Sequence, residues 1–319
     1  MIRDLSYYVH CFTHLRRDAR NGGAPHKPVL LLSIIEMFEQ GIFSGTHITV
    51  VPELVASFRT RWTELVTTNH RPVFSLPFFH LKSEPFWNLI AKFGFEKWLD
   101  TGSSIRTLRD LLLVVDRAEI DAELFVLLMI AENRDVLKIS ILDRYFSSTR
   151  NAFESTPDLG VSTTLLEDSS EEYQRKIIEL KRSVDDNSFQ EEVFVRSGLF
   201  KKEIPKIYDN MCSISGLRVD ATFSISMVDA CHIVPFSEGF DDSVTNGLAL
   251  CPNLHRAFDR GLISVSDDYE VLLNKNFIER SDSPYNISQF ERRRLRLPNS
   301  ENHRPSLANI ALHRTKHGY

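Results

Sequence analysis

The sequence has 319 residues, of which 42% are hydrophobic and 25% are charged, and its formal net charge is −5 at pH 7. Such a chain is long enough to bury substantial cores, and its length favours two domains. No apolar run approaches the roughly 18 residues of a membrane span, and the N-terminus lacks a signal-peptide pattern. Four cysteines in so long a chain do not make a disulfide framework, so a cytoplasmic protein without a membrane partner is expected.

The N-terminal region, residues 1–148, is predicted to be mainly helical with a few short strands. Apolar residues at helical spacing predict a series of helices, at Met1–Asp18, Val29–Phe38, Glu53–Thr67, Leu108–Val115, Ala122–Ala131 and Asp135–Phe146. Residues 20–28 contain two glycines and two prolines, which predict a loop. Residues 72–81 are aromatic with a proline inside, which favours an edge strand or an exposed loop.

The charge of the chain changes after this region. Residues 154–192 carry eleven acidic and four basic side chains, a local charge of −7, which leaves +2 for the rest of the chain (−5 + 7). Residues 149–187 are therefore predicted to be an acidic linker, with an exposed helix at Ser170–Arg182. Basic side chains concentrate in the first thirty residues and at Arg292–Arg296, and basic faces of this kind suit DNA phosphates.

Residues 188–319 are predicted to form a second domain. Alternating apolar residues predict a strand at Ile225–Ile233, and Gly247–Leu250 supplies a second strand. Pro252 suits the first turn of a short helix, and Gly261 suits its end. The predicted order at the centre of this domain is therefore strand, loop, strand and helix.

This order of elements can bring three polar residues together. Asn246 lies 14 residues after His232, and His255 lies 23 residues after His232. Hydrolysis of a phosphodiester needs a neutral imidazole to deprotonate water, an amide to orient that imidazole, and a ligand for a divalent metal. The three residues are therefore candidates for an active site.

Their immediate neighbours carry a family resemblance, in the phrases Cys231-His232-Ile233, Thr245-Asn246-Gly247 and Leu254-His255-Arg256. The stretch resembles the ββα-metal fingerprint of HNH endonucleases. The resemblance implies that His232 is the general base, that Asn246 orients it, and that His255 binds the catalytic metal. Arg256 is expected either to contact a DNA phosphate or to form a salt bridge with Asp259.

A second metal ligand has to be found separately. Many HNH endonucleases carry Asp or His directly before the first histidine, where this sequence has Cys231. Asp229 lies two residues upstream on the same face of the predicted strand, and it is the candidate ligand. The expected metal is Mg²⁺, with Mn²⁺, Co²⁺ or Ni²⁺ as substitutes because imidazole is a middling ligand for Mg²⁺.

Many HNH proteins also hold a structural zinc between two Cys-x-x-Cys pairs. The matching places here read Cys212-Ser213-Ile214-Ser215 and Cys251-Pro252-Asn253-Leu254, so each pair lacks its second thiol. Two thiolates fall short of the usual four zinc ligands. No structural zinc is therefore expected, and apolar packing is expected to take its place.

The N-terminal region carries a resemblance of its own, in the phrases Ala24–Leu32, Leu76–Leu81 and Ile120–Phe125. These phrases resemble the sulfur-binding domain of type IV restriction enzymes, which recognises phosphorothioate DNA and in many members precedes an HNH domain. The resemblance covers residues 1–148 in separated phrases. It implies a DNA- and sulfur-binding site formed by Leu76, Pro77, Phe78 and His80, with His26, Lys27 and Arg20 nearby.

An apolar cup suits sulfur because burying sulfur costs less than burying a phosphate oxygen, which loses strong hydrogen bonds to water. Cations around the cup would hold the DNA backbone. Leu76 stands where some family members have a tyrosine, which removes one hydroxyl group. Two structural alternatives stay open: Leu76–Leu81 is also compatible with an ordinary core strand, and His26 and Lys27 are compatible with capping a helix.

The expected protein is of the α+β class, with a mainly helical reader domain at 1–148 and a C-terminal ββα-metal nuclease domain. The predicted function is a type IV restriction endonuclease that recognises phosphorothioate-modified double-stranded DNA and cleaves it with a divalent metal. Double-strand cleavage from one active site favours a homodimer.

Two alternative functions remain open. One is an HNH nuclease that reads methylated or hydroxymethylated cytosine, or no mark. A reader of modified bases would need a pocket lined by aromatic residues, for which the candidates are Phe74, Phe78, Phe79 and Trp87. The other alternative is a non-catalytic DNA-binding module, which the missing acid at Cys231 would permit.

Overall fold

The structure is a computed structural model, and it describes residues 3–18, 23–100, 105–150, 166, 170–182, 186–219, 226–280 and 285–319. Helices and strands are mixed, as in the α+β prediction. Among the described helices, none combines the length and the apolar character that crossing a membrane requires.

Internal contacts group the chain into two compact units. One consists of Met1–Val161 and Asp185–Val195, and the other consists of Ser162–Val184 and Arg196–Tyr319. These groups differ from the boundaries drawn from the sequence, because part of the predicted linker packs with the second unit and residues 185–195 pack with the first. The predicted domain boundaries stay a prediction.

The first unit is organised around one buried helix. Its helices are α1 (Leu5–Thr13), α2 (His26–Glu39), α3 (Pro52–Leu65), α4 (Ser75–His80), α5 (Glu96–Asp100), α6 (Leu108–Val114), α7 (Ala122–Leu128) and α8 (Ala131–Tyr145). Every residue of α2 from Lys27 to Phe38 is buried, because the run is almost wholly apolar. Helices α3, α4 and α8 pack against α2 and enclose it.

A three-stranded antiparallel sheet belongs to the same unit, in the spatial order β1 (His47–Ile48), β3 (Val115–Ile120) and β2 (Trp87–Ala91). The central strand β3 departs from the prediction, which ends a helix at Val115 and places no strand after it. In the structure β3 follows α6 directly, so no glycine or proline marks the change. The helix and the strand therefore look continuous in the sequence.

Residues 72–81 contain helix α4, so the predicted edge strand or exposed loop is wrong. Pro77 is the third residue of α4, in the first turn, where its missing N–H removes no hydrogen bond. Phe74 and Phe78 are fully buried, and the Phe78 ring meets the edge of Trp87 with centroids 5.2 Å apart. Burial of these rings favours a core helix over an edge strand.

The second unit contains the strands of the predicted nuclease fold. Its elements are α9 (Ser170–Arg182), the later part of α10 (Asp186–Ile207), β4 (Asp229–His232), α11 (Phe236–Gly239), β5 (Gly247–Leu250), α12 (Pro252–Asp259), β6 (Ile263–Val265), β7 (Val271–Leu273) and α13 (Leu307–His317). Helix α9 is exposed on one side only, because Tyr173 and Ile177 are buried. The Arg196 guanidinium lies over the Tyr173 ring at 3.9 Å. The prediction of an exposed linker helix is therefore wrong for the side that carries Tyr173 and Ile177.

The predicted ββα order is confirmed at β4, β5 and α12. The two strands are antiparallel, with Cys231 opposite Leu248 and His232 opposite Gly247. Gly247 has an extended backbone, and it is required by close packing: a Cβ atom there would lie 2.4 Å from Cδ1 of Ile204 in α10. The glycine therefore lets α10 pack directly on the hairpin.

Candidate active site

His232 is the last residue of β4, and a buried carboxylate holds its ring. Its Nε2 lies 2.7 Å from Oδ1 of Asp242, whose side chain is fully buried, while the imidazole keeps 21% exposure. Ser197 donates to the other oxygen of Asp242 at 2.9 Å. The imidazole also lies flat on the Phe200 ring, with centroids 4.0 Å apart and planes 10° apart. These contacts fix the ring in position and orientation.

The hydrogen bond also sets the tautomer of His232. A carboxylate oxygen can only accept, so Nε2 carries the proton and Nδ1 of the neutral ring carries the lone pair. Within the described part of the chain, no hydrogen bond engages Nδ1. Nδ1 is therefore the atom of this ring that can take a proton from water.

Asn246 hydrogen-bonds to the β4–β5 loop, and within the described residues no hydrogen bond joins its amide to the His232 imidazole. Its Oδ1 accepts hydrogen bonds from the Val234 N–H at 2.9 Å and from Asn309 Nδ2 at 3.0 Å. Its Nδ2 donates to the carbonyls of Val234 and Asp241, both at 2.9 Å. The amide is fully buried. The Asn246 amide therefore holds the loop that carries Asp242, and its role in orienting His232 stays a prediction.

His255 lies on α12 between two carboxylates. Its Nδ1 is 3.6 Å from Oδ2 of Asp229, and its Nε2 is 3.4 Å from Oδ2 of Asp259. Cys231 Sγ lies 3.8 Å from Oδ1 of Asp259. One donor atom each from Cys231, His255 and Asp259 lie within 4.8 Å of one another. A divalent cation fits these three residues. Together with Asp229 they form a group that we call the His255 cluster.

The Cys231 thiol is the least expected member of the His255 cluster. Burial first, and then the charge of Asp259, raise the pKa of the thiol well above its usual value. The thiol therefore keeps its proton at neutral pH while no cation is bound. A bound cation displaces the proton of a coordinating thiol.

The two groups of polar residues lie on opposite faces of β4. Cys231 and His232 are successive residues, so their side chains leave the strand on opposite sides. The thiol contacts α12, and the imidazole contacts α10. The structure brings the predicted ligands Asp229 and His255 together, while no hydrogen bond or ion pair among the described residues joins either of them to His232.

Two acidic residues of these groups are not predicted from the sequence. Asp259 follows His255 by four residues, a spacing that puts both on one face of a helix and could have revealed it. Asp242 has only a weak signal, the Asp241-Asp242 pair within the loop. Arg256 is exposed and, within the described residues, makes no ion pair with Asp259, which faces His255 instead.

The two remaining cysteines of the second unit lie at the places of the missing zinc pairs. Cys212 and Cys251 are both buried, and Ser215 Oγ lies 4.0 Å from Cys251 Sγ, where a further thiol would stand in a Cys-x-x-Cys pair. A hydrogen bond from Cys251 lowers the pKa of Cys212 to about 5. The absence of a structural zinc stays a prediction.

In the first unit, a pocket of about 500 Å³ lies among the residues predicted to bind sulfur. Cations, histidines and a few apolar side chains line it: Arg16, Arg17, Asp18, Ala24, His26, Lys27, His70, Leu76, Pro77, His80, Lys82 and Ser83. Five of the seven predicted residues are in this lining. Arg20 lies outside the described residues, and Phe78 is fully buried in the core and does not line the pocket.

Two of the predicted pocket residues already have partners within the protein. Lys27 Nζ lies 2.5 Å from Oε1 of Glu84, and both side chains are buried, so the lysine charge is paired. His26 donates from Nε2 to the Arg71 carbonyl at 2.9 Å, and burial lowers its pKa to about 4, so the ring is neutral at pH 7. The positive charge of the pocket therefore comes mainly from the other lining cations, Arg16, Arg17 and Lys82.

Comparison with known proteins bears on the second unit. The HNH endonuclease family profile matches residues 212–266, which hold β4, β5, α12 and β6 together with His232, Asn246 and His255. Residues 212–266 therefore form an HNH endonuclease domain. Among solved structures, the chain is similar to a modification-dependent TagI restriction endonuclease, at 25% identity over 38% of each chain and with a TM-score of 0.30. No curated protein matches the sequence.

Proposed function

We propose that this protein is a metal-dependent DNA endonuclease that cleaves DNA carrying a backbone phosphorothioate and so restricts foreign DNA. The nuclease part rests on one observation above all: the segment that matches the HNH family carries both an imidazole with an open nitrogen and a group that fits a cation. These are the two chemical functions that hydrolysis of a phosphodiester needs.

In this proposal His232 is the general base. Its Nδ1 accepts the proton of the attacking water, and Asp242 holds the Nε2 proton and balances the positive charge that develops on the ring. The flat contact with Phe200 keeps the ring from rotating as it gains the proton. Asn246 keeps the loop of Asp242 in place through its four backbone and side-chain hydrogen bonds.

The His255 cluster is the proposed cation site. His255, with Asp229 or Asp259, would hold the cation, which when bound supplies Lewis-acid stabilisation of the charge on the phosphate. Arg256 directly follows His255 on α12 and is exposed, so it is placed to bind a neighbouring DNA phosphate.

The chemistry of the pocket in the first unit supports recognition of a phosphorothioate. Sulfur in place of oxygen keeps the negative charge of the phosphate and accepts hydrogen bonds poorly, so contact with apolar groups is less costly. The apolar side chains of Leu76 and Pro77 and the neutral ring of His26 offer that contact. The lining arginines offer the opposite charge.

The alternative of a modified base has less support. A flipped base needs aromatic side chains to stack on. The four candidates named from the sequence, Phe74, Phe78, Phe79 and Trp87, are all buried and none lines this pocket. A mark on the backbone therefore fits the pocket better than a mark on the base.

The deciding experiment separates recognition from cleavage. The full chain is incubated with Mn²⁺ and three matched duplexes, which are unmodified, phosphorothioated or cytosine-methylated, and binding and cutting are scored separately. Tighter binding and cutting of the phosphorothioate duplex are expected. Equal cutting of all three duplexes would refute the proposal that the protein recognises a DNA modification. Preferential cutting of the methylcytosine duplex would favour recognition of a modified base. Binding without cutting would favour a non-catalytic DNA-binding module.

A single substitution tests the role of His232. His232→Ala should abolish cleavage and leave DNA binding unchanged, because the residue acts on water and not on affinity. His47→Ala is a matched control, since His47 is an exposed histidine of the first unit, and it should keep both properties. Full activity of His232→Ala would remove this residue from the mechanism.

A further inference from the structure

The spacing of donor atoms in the His255 cluster suits a single small cation. Cys231 Sγ is 3.8 Å from one oxygen of Asp259, and the other oxygen of Asp259 is 3.4 Å from His255 Nε2. Around a tetrahedral ion with metal–ligand distances of about 2.0 to 2.3 Å, donor atoms lie roughly 3.5 Å apart. The sulfur, oxygen and nitrogen atoms can therefore share one ion after only small movements.

The two nitrogens of His255 divide the carboxylates between them. Nε2 faces Asp259, and Nδ1 faces Asp229. The two nitrogens point away from each other, so an ion bound at Nε2 lies with Asp259 and Cys231. Asp229 is then placed to accept a hydrogen bond from Nδ1–H, the arrangement that orients metal-binding histidines in many proteins.

The exposure of these residues allows an ion to reach the donors from solvent. The Asp259 side chain is 54% exposed and that of His255 is 24% exposed. Cys231 is fully buried beneath them. A cation from solvent can thus reach the Asp259 carboxylate and the His255 imidazole first. It can then bind the Cys231 sulfur in place of the thiol proton.

We propose that Cys231, His255 and Asp259 form a thiolate–imidazole–carboxylate site that selects Zn²⁺ or Co²⁺ over Mg²⁺. The inference rests on the proposed nuclease function and specifies its metal. A thiolate is a soft ligand that suits Zn²⁺ and Co²⁺, whereas Mg²⁺ requires six oxygen ligands in octahedral geometry. Three protein ligands leave a fourth position open, as in catalytic zinc sites.

The test follows Co²⁺ spectroscopically, without DNA. The full chain is titrated with Co²⁺ alone under reducing conditions, and absorbance is recorded in the near-ultraviolet and the visible. A sulfur-to-cobalt charge-transfer band and the strong visible bands of a tetrahedral ion are expected. Cys231→Ser should remove the charge-transfer band and weaken Co²⁺ binding by at least about 10-fold, while Mg²⁺ binding changes little.

The second thiol pair requires a control of its own. Cys212 and Cys251 are also buried and lie close to each other. The Cys212→Ser/Cys251→Ser variant should keep the charge-transfer band of the wild type. A band that is lost in this variant and retained in Cys231→Ser would overturn the proposal. Co²⁺ binding by the wild type without a charge-transfer band would also overturn the proposal. This measurement does not depend on whether any variant folds.

The inference and the proposed nuclease can fail separately. A chain that shows the Cys231-dependent band and cuts no DNA keeps the metal site and loses the nuclease. If the wild type cuts DNA at the same rate with Mg²⁺ and with Co²⁺, and the Cys231→Ser variant cuts at that rate too, the nuclease proposal stands and the metal inference fails. His255→Gln should remove both the visible bands and the cleavage if both proposals hold.

Discussion

The buried ion pair of the first unit allows a quantitative test of what Lys27 does. Its Nζ lies 2.5 Å from Oε1 of Glu84, and the two side chains are only 8% and 4% exposed. Lys27 also donates to Ser83 Oγ at 2.8 Å, and the same Glu84 oxygen accepts from the Arg16 N–H at 3.0 Å. Glu84→Gln removes the negative charge and leaves the lysine buried without its ionic partner.

The expected magnitude follows from two opposing terms. At 2.5 Å and an effective dielectric constant of about 20, two unit charges attract by about 7 kcal/mol. Removing each ion from water costs several kcal/mol, so the attraction between the two charges is nearly offset by the cost of their desolvation. Glu84→Gln or Lys27→Met alone should therefore cost about 3 to 5 kcal/mol of unfolding free energy, and the double variant much less than the sum.

The assay is urea unfolding of the wild type, both single variants and the double variant. Lys316→Met is the surface control, because Lys316 and Glu238 form an ion pair that is 42% and 50% exposed, and it should cost less than about 1 kcal/mol. The prediction is wrong if Glu84→Gln and Lys27→Met each lower the unfolding free energy as little as Lys316→Met does. It is also wrong if the loss in the double variant equals the sum of the two single losses.

The same variants test the alternative that Lys27 contacts DNA. If Glu84 pairs its charge, the double variant should bind DNA with the wild-type dependence on salt. If the slope of log binding constant against log salt concentration falls by about one in the double variant, Lys27 neutralises a DNA phosphate.

Three further outcomes are expected. Asp242→Asn should lower kcat for cleavage by on the order of 100-fold with little change in KM, because His232 loses the carboxylate that sets its tautomer. Gly247→Ala should cost about 1 to 3 kcal/mol in urea unfolding, because the new methyl group overlaps Ile204, and this cost should be smaller in an Ile204→Ala background. Burial lowers the pKa of His313 from 6.5 to about 4 in the folded state. The unfolded chain therefore binds the proton first, and unfolding free energy should fall by up to about 3 kcal/mol as pH drops from 6.5 through 4.

Each of these outcomes has a result that would count against it. A variant at Asp242 that raised KM and left kcat unchanged would assign this residue to DNA binding. Additive costs of Gly247→Ala and Ile204→Ala would show that the two positions do not clash. An acid-induced loss of stability that is as large in His313→Gln as in the wild type would come from other groups.

The candidate site shows what could be predicted without coordinates. The two strands and the helix that carry His232, Asn246 and His255 are predictable, because strand alternation and helix start and stop signals are local properties of the chain. Asp259 was also within reach, since residues four apart share one face of a helix. The partner of His232 was not, because a loop brings Asp242 to it and no local rule specifies the path of a loop.

The sequence by itself therefore determined the types of residue, the strand, loop, strand and helix order around His232, Asn246 and His255, and the HNH character of residues 212–266. Only the tertiary structure decided the partners: Asp242 beside His232, Glu84 beside Lys27, and the aromatic rings of α4 inside the core. These contacts depend on which surfaces pack together, and packing follows from the burial of the whole chain, not from any single stretch of it.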